Sequence, residues 1–95
     1  MIKINLDKYA PILSDKIVGD NIYDEIKSAL AKSEPVEIDL TQIKSMATYC
    51  SKQIFGRLYK ELGSQKFFEN IHLKNASEDL KVIIQIGIKN ALEEK

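Results

Sequence analysis

Cysteine and long apolar runs are scarce in this sequence, and each scarcity excludes a class of protein. Cys50 is the only cysteine, so no disulfide can form within the chain. No apolar run comes near the roughly 18 residues that a membrane helix needs, and the first residues have no apolar signal core. We therefore expect a cytoplasmic protein without a membrane partner.

The sequence also lacks an excess of charge of either sign. Acidic and basic residues number 14 each, and the lysines and arginines are scattered rather than clustered on one predicted face. A nucleic-acid-binding protein usually has a basic excess or a basic stripe. We therefore expect no nucleic-acid partner.

Residues typical of enzymes and cofactor sites are few. His72 is the only histidine, and one histidine with one cysteine cannot complete a four-ligand zinc site without distant carboxylates. The four glycines stand singly, at positions 19, 56, 63 and 87, which excludes a glycine-rich phosphate loop. We expect no metal, no cofactor and no catalytic residues.

What is present is typical of one folded domain. The chain has 95 residues, of which 44% are hydrophobic, and this is enough for a single core over residues 1–95. No repeat or low-complexity tract divides it.

The centre of the chain has the pattern of a strand, a polar loop and a helix. Val36, Ile38 and Leu40 alternate with acidic residues, which predicts a buried strand. An apolar stripe at helical spacing follows, and Gly63 stands where a left-handed helix cap is expected. The stripe consists of Cys50, Ile54, Leu58 and Leu62. The loop at 41–47 then lies at the carboxyl end of a strand, where open α/β sheets usually place their functional surface.

Further strands and helices precede and follow this unit. The predicted elements are a strand at 2–6, a short strand at 12–13, a helix from 14–15 to about 32, a helical turn at 65–69, a strand at 71–73 and a closing helix to about 91. This alternation predicts a mostly parallel sheet joined by right-handed crossovers.

Helix ends and glycines give more specific expectations. Asn75 and Glu78 have the spacing of a capping box at the start of the closing helix. Gly87 lies on the apolar stripe of that helix, where its missing side chain would let the helix lie close to the sheet. Gly19 fits two interpretations, a close approach of backbones or simple tolerance at a fraying helix end.

Hydroxyl groups are concentrated in the loop and helix start that follow the central strand. Ser45, Thr48, Tyr49 and Ser51 fall within seven residues. An exposed helix N-terminus has unpaired N–H groups and a positive dipole end, so a phosphate added there would be stabilised locally. The alternative is that Thr48 or Ser45 only caps the helix.

Three other side chains have both a structural and a chemical interpretation. Cys50 lies near a helix start, which could activate it, but its place on the apolar stripe favours a buried, unreactive thiol. His72 has no partner group that would make it catalytic, so a structural or solvated ring is favoured. At the end of the central strand, Asp39 is favoured as a carboxylate that orients the loop rather than as an acid.

Together these residues resemble the STAS domains of bacterial anti-sigma factor antagonists. The similarity is carried by Val36 to Leu40, by Ile43 and Met46, and by Ile54, Phe55, Gly56 and Arg57. Over nearly all of residues 1–93, the chain resembles more closely the short bacterial STAS-like domains, whose function is mostly unassigned. The resemblance implies a four- or five-stranded mixed, mostly parallel sheet with about three helices packed largely on one side, and a regulatory, non-enzymatic binding role.

The resemblance also implies a site. In the antagonists, the loop and helix after the central strand dock a histidine-kinase-like ATPase of the anti-sigma type, which phosphorylates a serine at the helix start. Their motif is Asp-Ser-Ser-Gly, whereas this chain has Ala47-Thr48-Tyr49-Cys50 at the aligned positions. Because the acidic residue is missing and a tyrosine replaces the phosphorylated serine, the resemblance supports the interface rather than the switch. The candidate phosphate acceptors are Thr48, Tyr49 and Ser51.

We therefore expect a module that binds a protein partner, with a histidine-kinase-like ATPase or another anti-sigma-type regulator as the candidate. The expected contacts are Lys44, Ser45, Met46, Thr48, Tyr49, Lys52 and Arg57, with Gln53 beside them because the helix phase is fixed only to within a residue or two. Tyr49 is the expected anchor, since a tyrosine can bury its ring in a partner while its hydroxyl stays hydrated, and the alternative is that its ring packs on the neighbouring helix. Two alternatives stay open: a small enzyme or ligand carrier that uses Asp39, Cys50 or His72, and a subunit that self-associates through a sheet edge or the Phe67-Phe68 turn.

Overall fold

Five short strands and four helices make up the part of the chain that the computed structural model describes, residues 1–94. The strands are β1 (Ile2–Asn5), β2 (Ile12–Leu13), β3 (Val36–Asp39), β4 (Ser45–Met46) and β5 (Ile71–Lys74). The helices are α1 (Lys16–Leu30), a central helix, α4 (Ser64–Asn70) and α5 (Glu78–Glu93). The central helix runs without a break through α2 (Thr48–Ser51), a π-helical stretch (Lys52–Gly56) and α3 (Arg57–Leu62).

The strands form two parallel sheets rather than the single mixed sheet that the resemblance implies. In the larger sheet the order is β1-β3-β5, with Ile4 opposite Ile38 and Ile38 opposite Leu73. The smaller sheet pairs β2 with β4, because the main-chain N–H groups of Lys44 and Ala47 donate to the carbonyls of Pro11 and Leu13, each at 2.7 Å. Every strand pairing within residues 1–94 is parallel, so the prediction of a mostly parallel arrangement is confirmed and its mixed character is wrong.

One face of the larger sheet is buried and the other is polar. Along β3, Val36 and Ile38 are fully buried, whereas Glu37 and Asp39, which alternate with them, are half exposed. The residues that share the polar face are Lys3, Asn5, Glu37, Asp39, His72 and Lys74. The predicted position of the helices, largely on one side, agrees with this alternation.

Glycines set how closely the helices approach one another. A β-carbon at Gly87 would lie 2.7 Å from the main-chain nitrogen of Lys52, so the close approach at Gly87 is to the central helix and not, as expected, to the sheet. At Gly19 a β-carbon would collide with the side-chain amide of Gln53. The missing side chain at Gly19 therefore makes room for the Gln53 side chain, and the expected close approach of backbones is not what this glycine allows.

Helix ends follow capping chemistry, with two departures from expectation. The side chain of Asp15 accepts from the N–H of Ile17 at 2.7 Å and so caps α1, which ends at Leu30. Ser77, not Asn75, caps α5. Gly63 ends the central helix with φ 82 and ψ 162, which has the positive φ expected of glycine but not the left-handed helical ψ.

No helix within residues 1–94 combines the length and the apolar composition that a membrane crossing requires.

Candidate functional site

The start of the central helix is held against the start of α1. The hydroxyl of Tyr49 donates to the main-chain carbonyl of Ser14, and the Lys16 ammonium lies 6.0 Å from the centre of the tyrosine ring. One residue further on, the thiol of Cys50 lies 3.6 Å from the carbonyl oxygen of Asp15. The loop before α1 and the first turn of the central helix therefore form one continuous surface.

Large apolar side chains remain exposed on this surface. Ile12 on β2 is 56% exposed, Ile17 in the first turn of α1 is 72% exposed, and Tyr49 is 47% exposed. Three lysines lie on the same segments, at positions 16, 44 and 52. We call these six residues the docking surface. A patch of apolar groups bordered by charge is typical of a protein interaction site.

Most of the contacts expected from the sequence are on the outside of the molecule. The exposed ones are Lys44, Ser45, Thr48, Tyr49 and Arg57, and Lys52 is half exposed. Met46 is the exception: its side chain belongs to the core with 3% exposed, so the prediction that it contacts a partner is wrong. Its neighbour Ser45 faces out because successive residues of a strand point to opposite faces.

The three candidate phosphate acceptors differ in accessibility. Thr48 and Tyr49 are exposed. Ser51 is fully buried, and its hydroxyl donates to the carbonyl of Ile83 on α5 at 2.9 Å. The prediction that Ser51 accepts a phosphate is therefore wrong for the folded protein. The interpretation of Thr48 or Ser45 as the helix cap is also wrong, because Ala47 is the N-cap residue and no side chain caps this helix.

A basic groove lies beside the docking surface, between α1, the central helix and the end of α5. Its volume is about 500 Å³. The residues that line it are Lys16, Tyr49, Lys52, Gln53, Arg57, Lys60, Ala91 and Glu94. Four of these side chains are cationic, so the expectation that basic residues are scattered over the surface is wrong for this groove.

Because of the π-helical stretch, the spacing of the basic residues in the sequence does not predict the groove. Lys52 and Arg57 are five residues apart, and a regular α-helix of about 3.6 residues per turn would place them on different faces. The i to i+5 hydrogen bonding of the π-helical stretch widens the turn between them. Lys16 and Glu94 come from distant parts of the chain, and no local pattern connects them to the central helix.

Two cations of the groove have partners within the chain. Lys52 forms an ion pair with Glu94. The hydrogen bond from Lys52 to Glu94, together with the charges of Lys52 and Lys60, lowers the pKa of the Glu94 carboxyl. The guanidinium of Arg57 lies 4.0 Å from the centre of the Tyr23 ring.

The side chain of Gln53, which lines the groove, is hydrogen-bonded to α1. Its amide nitrogen donates to the carbonyl of Lys16 at 2.8 Å and to the carboxylate of Asp20 at 2.6 Å. Its amide oxygen is buried against Gly19 without a hydrogen-bond partner. Gln53 is therefore a structural residue that fixes the spacing of α1 and the central helix.

The residues of the enzyme alternative do not meet at one place. Cys50 is buried in the core, where loss of solvation raises the pKa of its thiol. Asp39 and His72 share the polar face of the sheet, but His72 is opposite Glu37 and Asp39 is opposite Lys74. Within residues 1–94, no group of three or more His, Cys, Asp or Glu side chains is placed to hold a metal ion.

Asp39 has the orienting role that its position predicted. It accepts hydrogen bonds from both the N–H and the hydroxyl of Thr41, and the N–H lies 2.9 Å away. The Asn75 amide donates to the same hydroxyl at 2.8 Å, which links the ends of β3 and β5. The hydrogen bonds from Thr41 lower the pKa of the Asp39 carboxyl.

Comparison with known proteins supports the resemblance and gives a family. No curated protein and no solved structure matches the chain. A family model described as a STAS-like domain of unknown function (DUF4325) matches residues 18–81, about two thirds of the chain. The match includes all but the first two residues of α1, together with β3, the central helix and β5. The chain therefore belongs to the family of STAS-like domains of unknown function.

Proposed function

We propose that this chain is a non-enzymatic, regulatory interaction module of the cytoplasm that binds a protein partner through the docking surface. One observation carries the proposal: three large apolar side chains stay exposed where β2, α1 and the central helix meet. An aromatic anchor beside aliphatic contacts is typical of the residues that contribute most to binding. Tyr49 fits this role because its hydroxyl is already bonded to Ser14 and its ring is held in place.

The charge of the surface indicates the character of the partner. Lys16 and Lys52 lie on the helices that carry Ile17 and Tyr49, and Lys44 comes directly before β4, the partner strand of Ile12. An acidic face on the partner would therefore be complementary. A histidine-kinase-like ATPase of the anti-sigma type is the partner class that the likeness to the antagonists supports. Binding does not require phosphorylation in this proposal, although Thr48 and Tyr49 are exposed at the helix start.

A pull-down from native cytoplasm with a matched pair of variants tests this function. The disruptive variant is Tyr49→Ala/Lys52→Glu. The control is Val82→Ala/Lys66→Glu, which makes comparable changes at exposed positions on α5 and α4, outside both candidate binding surfaces. Both must show the circular dichroism spectrum of wild type. The captured protein is identified by mass spectrometry, purified, and its affinity remeasured by calorimetry.

Capture of an ATPase-like regulator by wild type and control, but not by the disruptive variant, would support the proposal. Equal capture by all three proteins would place the interface elsewhere. If none of them captures a specific protein, the interaction function itself is contradicted.

A second candidate function, self-association, is favoured by an apolar groove between the central helix, α4 and α5. Phe68 on α4 is 63% exposed and stacks edge to face on Phe67, with ring centres 5.4 Å apart. The groove is bordered by Tyr59, Phe68, Ile88 and Leu92. Light scattering over a concentration series would show a dimer that Phe68→Ala disrupts, whereas a concentration-independent monomer excludes this function.

A further inference from the structure

The geometry points to a binding site for a small phosphate ester in the basic groove. Lys16, Lys52, Arg57 and Lys60 converge there from α1 and three turns of the central helix. Arginine and lysine side chains are the usual protein ligands of phosphate, because charge-assisted hydrogen bonds to its oxygens are strong. The site shares Lys16, Tyr49 and Lys52 with the docking surface and adds Arg57, Lys60 and Glu94.

The groove already accepts an anion from its own chain. The Glu94 carboxylate pairs with Lys52 and lies close enough to Lys60 for the lysine charge to lower its pKa. This contact shows that the Lys52 ammonium is directed toward a carboxylate that lines the groove. A phosphate carries more charge than a carboxylate and has more acceptor oxygens, so it can displace Glu94.

Two neighbouring contacts hold the Arg57 side chain and the main chain of Lys16 in position before a ligand binds. Arg57 rests on the Tyr23 ring at 4.0 Å, and the hydroxyl of Tyr23 donates to Glu61. Gln53 holds the main chain of Lys16 by a hydrogen bond of 2.8 Å. A preorganised site loses less side-chain entropy on binding than a mobile one, which favours affinity.

The dimensions and walls of the groove select a small ligand. Its volume of about 500 Å³ lies within the range of about 300–1,000 Å³ that is typical of small-molecule sites. The Tyr49 ring and the Ala91 methyl group add apolar wall beside the cations. The ligand class is therefore a phosphate monoester with a flat or apolar portion that can lie against Tyr49.

Phenyl phosphate is a suitable probe, with phenol at equal ionic strength as the uncharged comparison. Binding is followed by ¹H–¹⁵N NMR titration of the chain alone. We expect saturable shifts at the amides of Lys52, Arg57 and Lys60 with phenyl phosphate, and none with phenol. Shifts with both compounds, or a linear response without saturation, would overturn the site.

Two pairs of variants make the test specific. Lys60→Gln should weaken binding about tenfold, as expected for the loss of one hydrogen bond to a charged group, whereas Lys66→Gln on α4 should not. Glu94→Gln should tighten binding several-fold by removing the competing carboxylate, whereas Glu93→Gln, which lies outside this groove, should not. Equal affinities within either pair would contradict the proposal.

The test is independent of the protein partner. It uses the isolated chain, and neither Lys60 nor Glu94 belongs to the docking surface. A failure to bind phenyl phosphate would therefore contradict this site but not the interaction function. The absence of a protein partner would contradict the interaction function but not this site.

Discussion

A β-carbon built on Gly56 would lie 2.6 Å from the carbonyl oxygen of Gly87, so the central helix and α5 touch main chain to main chain. The same β-carbon would lie 2.8 Å from the methyl group of Ala91. Neither neighbour is the mobile end of a side chain. The contact holds α5 on the central helix and so places Glu94, one residue beyond α5, in the basic groove.

Gly56→Ala and Gly87→Ala should both destabilise the fold, although alanine is normally the better helix former. Each added methyl group forces the two helices apart, and overpacking of this kind costs about 1–3 kcal/mol in the free energy of unfolding. Urea denaturation measures the loss. Asn90→Ala, on an exposed position of α5, serves as the control and should be close to wild type. Wild-type stability of both glycine variants would contradict the close contact.

Ile54 and Ile17 offer a matched comparison of core and surface. Ile54 is fully buried on the inner face of the central helix, whereas Ile17 is 72% exposed. Ile54→Ala should lower the free energy of unfolding by about 2–5 kcal/mol, because it removes buried methylene groups and leaves a cavity. Ile17→Ala should change it by less than about 0.5 kcal/mol.

Thermal or urea unfolding of the two isoleucine variants provides the measurement. If Ile54→Ala unfolds with the wild-type midpoint, the helix phase described here is wrong. A large loss in Ile17→Ala would mean that this side chain is part of the core and not of the docking surface.

The strands and helices whose apolar residues repeat at a regular spacing were predictable from the sequence. Val36, Ile38 and Leu40 alternate with polar residues and are all buried, and the stripe through Ile54 and Leu58 faces the core. Local spacing is sufficient in these cases because one face of each element is buried against the rest of the protein. The resemblance to STAS-like domains, which rested on these core positions, is confirmed by the family match over residues 18–81.

Features that depend on distant contacts could not be predicted in this way. β4 has only the two residues Ser45–Met46, too few for a period, and it exists because β2 supplies hydrogen-bond partners. The expectation that Gly87 faces the sheet failed because a small residue on a stripe does not indicate which neighbour approaches it. In the groove, Lys16 and Glu94 are brought together by tertiary structure alone.

Cys50 should be unreactive in the folded protein. Its thiol is buried and its pKa is raised, so the reactive thiolate is rare near neutral pH. We expect slow labelling by an aromatic disulfide reagent under native conditions and rapid labelling in denaturant. Rapid labelling of the native protein would instead support the enzyme alternative, in which this thiol is activated.

Tyr23 should make the fold sensitive to alkali. Its burial, together with the hydrogen bond to Glu61, raises the pKa of its phenol from 10.0 to about 12. In the unfolded chain the phenol ionises near 10, whereas in the folded chain it stays protonated. Stability from this group is therefore complete below pH 10 and is lost as the pH rises from 10 to about 12.

The alkaline effect is measured by urea denaturation across this pH range in a Cys50→Ala background, which removes the contribution of the thiol. Tyr23→Phe in the same background should show a smaller decrease in the free energy of unfolding, because no phenol remains to ionise. Parallel curves for the two proteins would show that Tyr23 does not retain its proton in the folded state.

Asp39 should show the opposite dependence, at acid pH. Hydrogen bonds from Thr41 hold the pKa of its carboxyl below the ordinary value of 3.8, and the charge of Lys74 adds to the effect. A group whose pKa is lowered by folding stabilises the protein above its unfolded pKa, and this stabilisation is lost as the pH falls through the folded value. The contribution should therefore disappear below pH 3.8.

NMR titration of the Asp39 carboxyl distinguishes the role of the Thr41 hydroxyl from that of its backbone. Thr41→Val keeps the N–H but removes the hydroxyl, so the Asp39 pKa should rise toward 3.8. Thr41→Ser restores a hydroxyl at the same position and should return the pKa to its wild-type value. If valine and serine give the same titration, the hydroxyl does not orient this carboxylate, and the loop after β3 is held by its backbone hydrogen bonds alone.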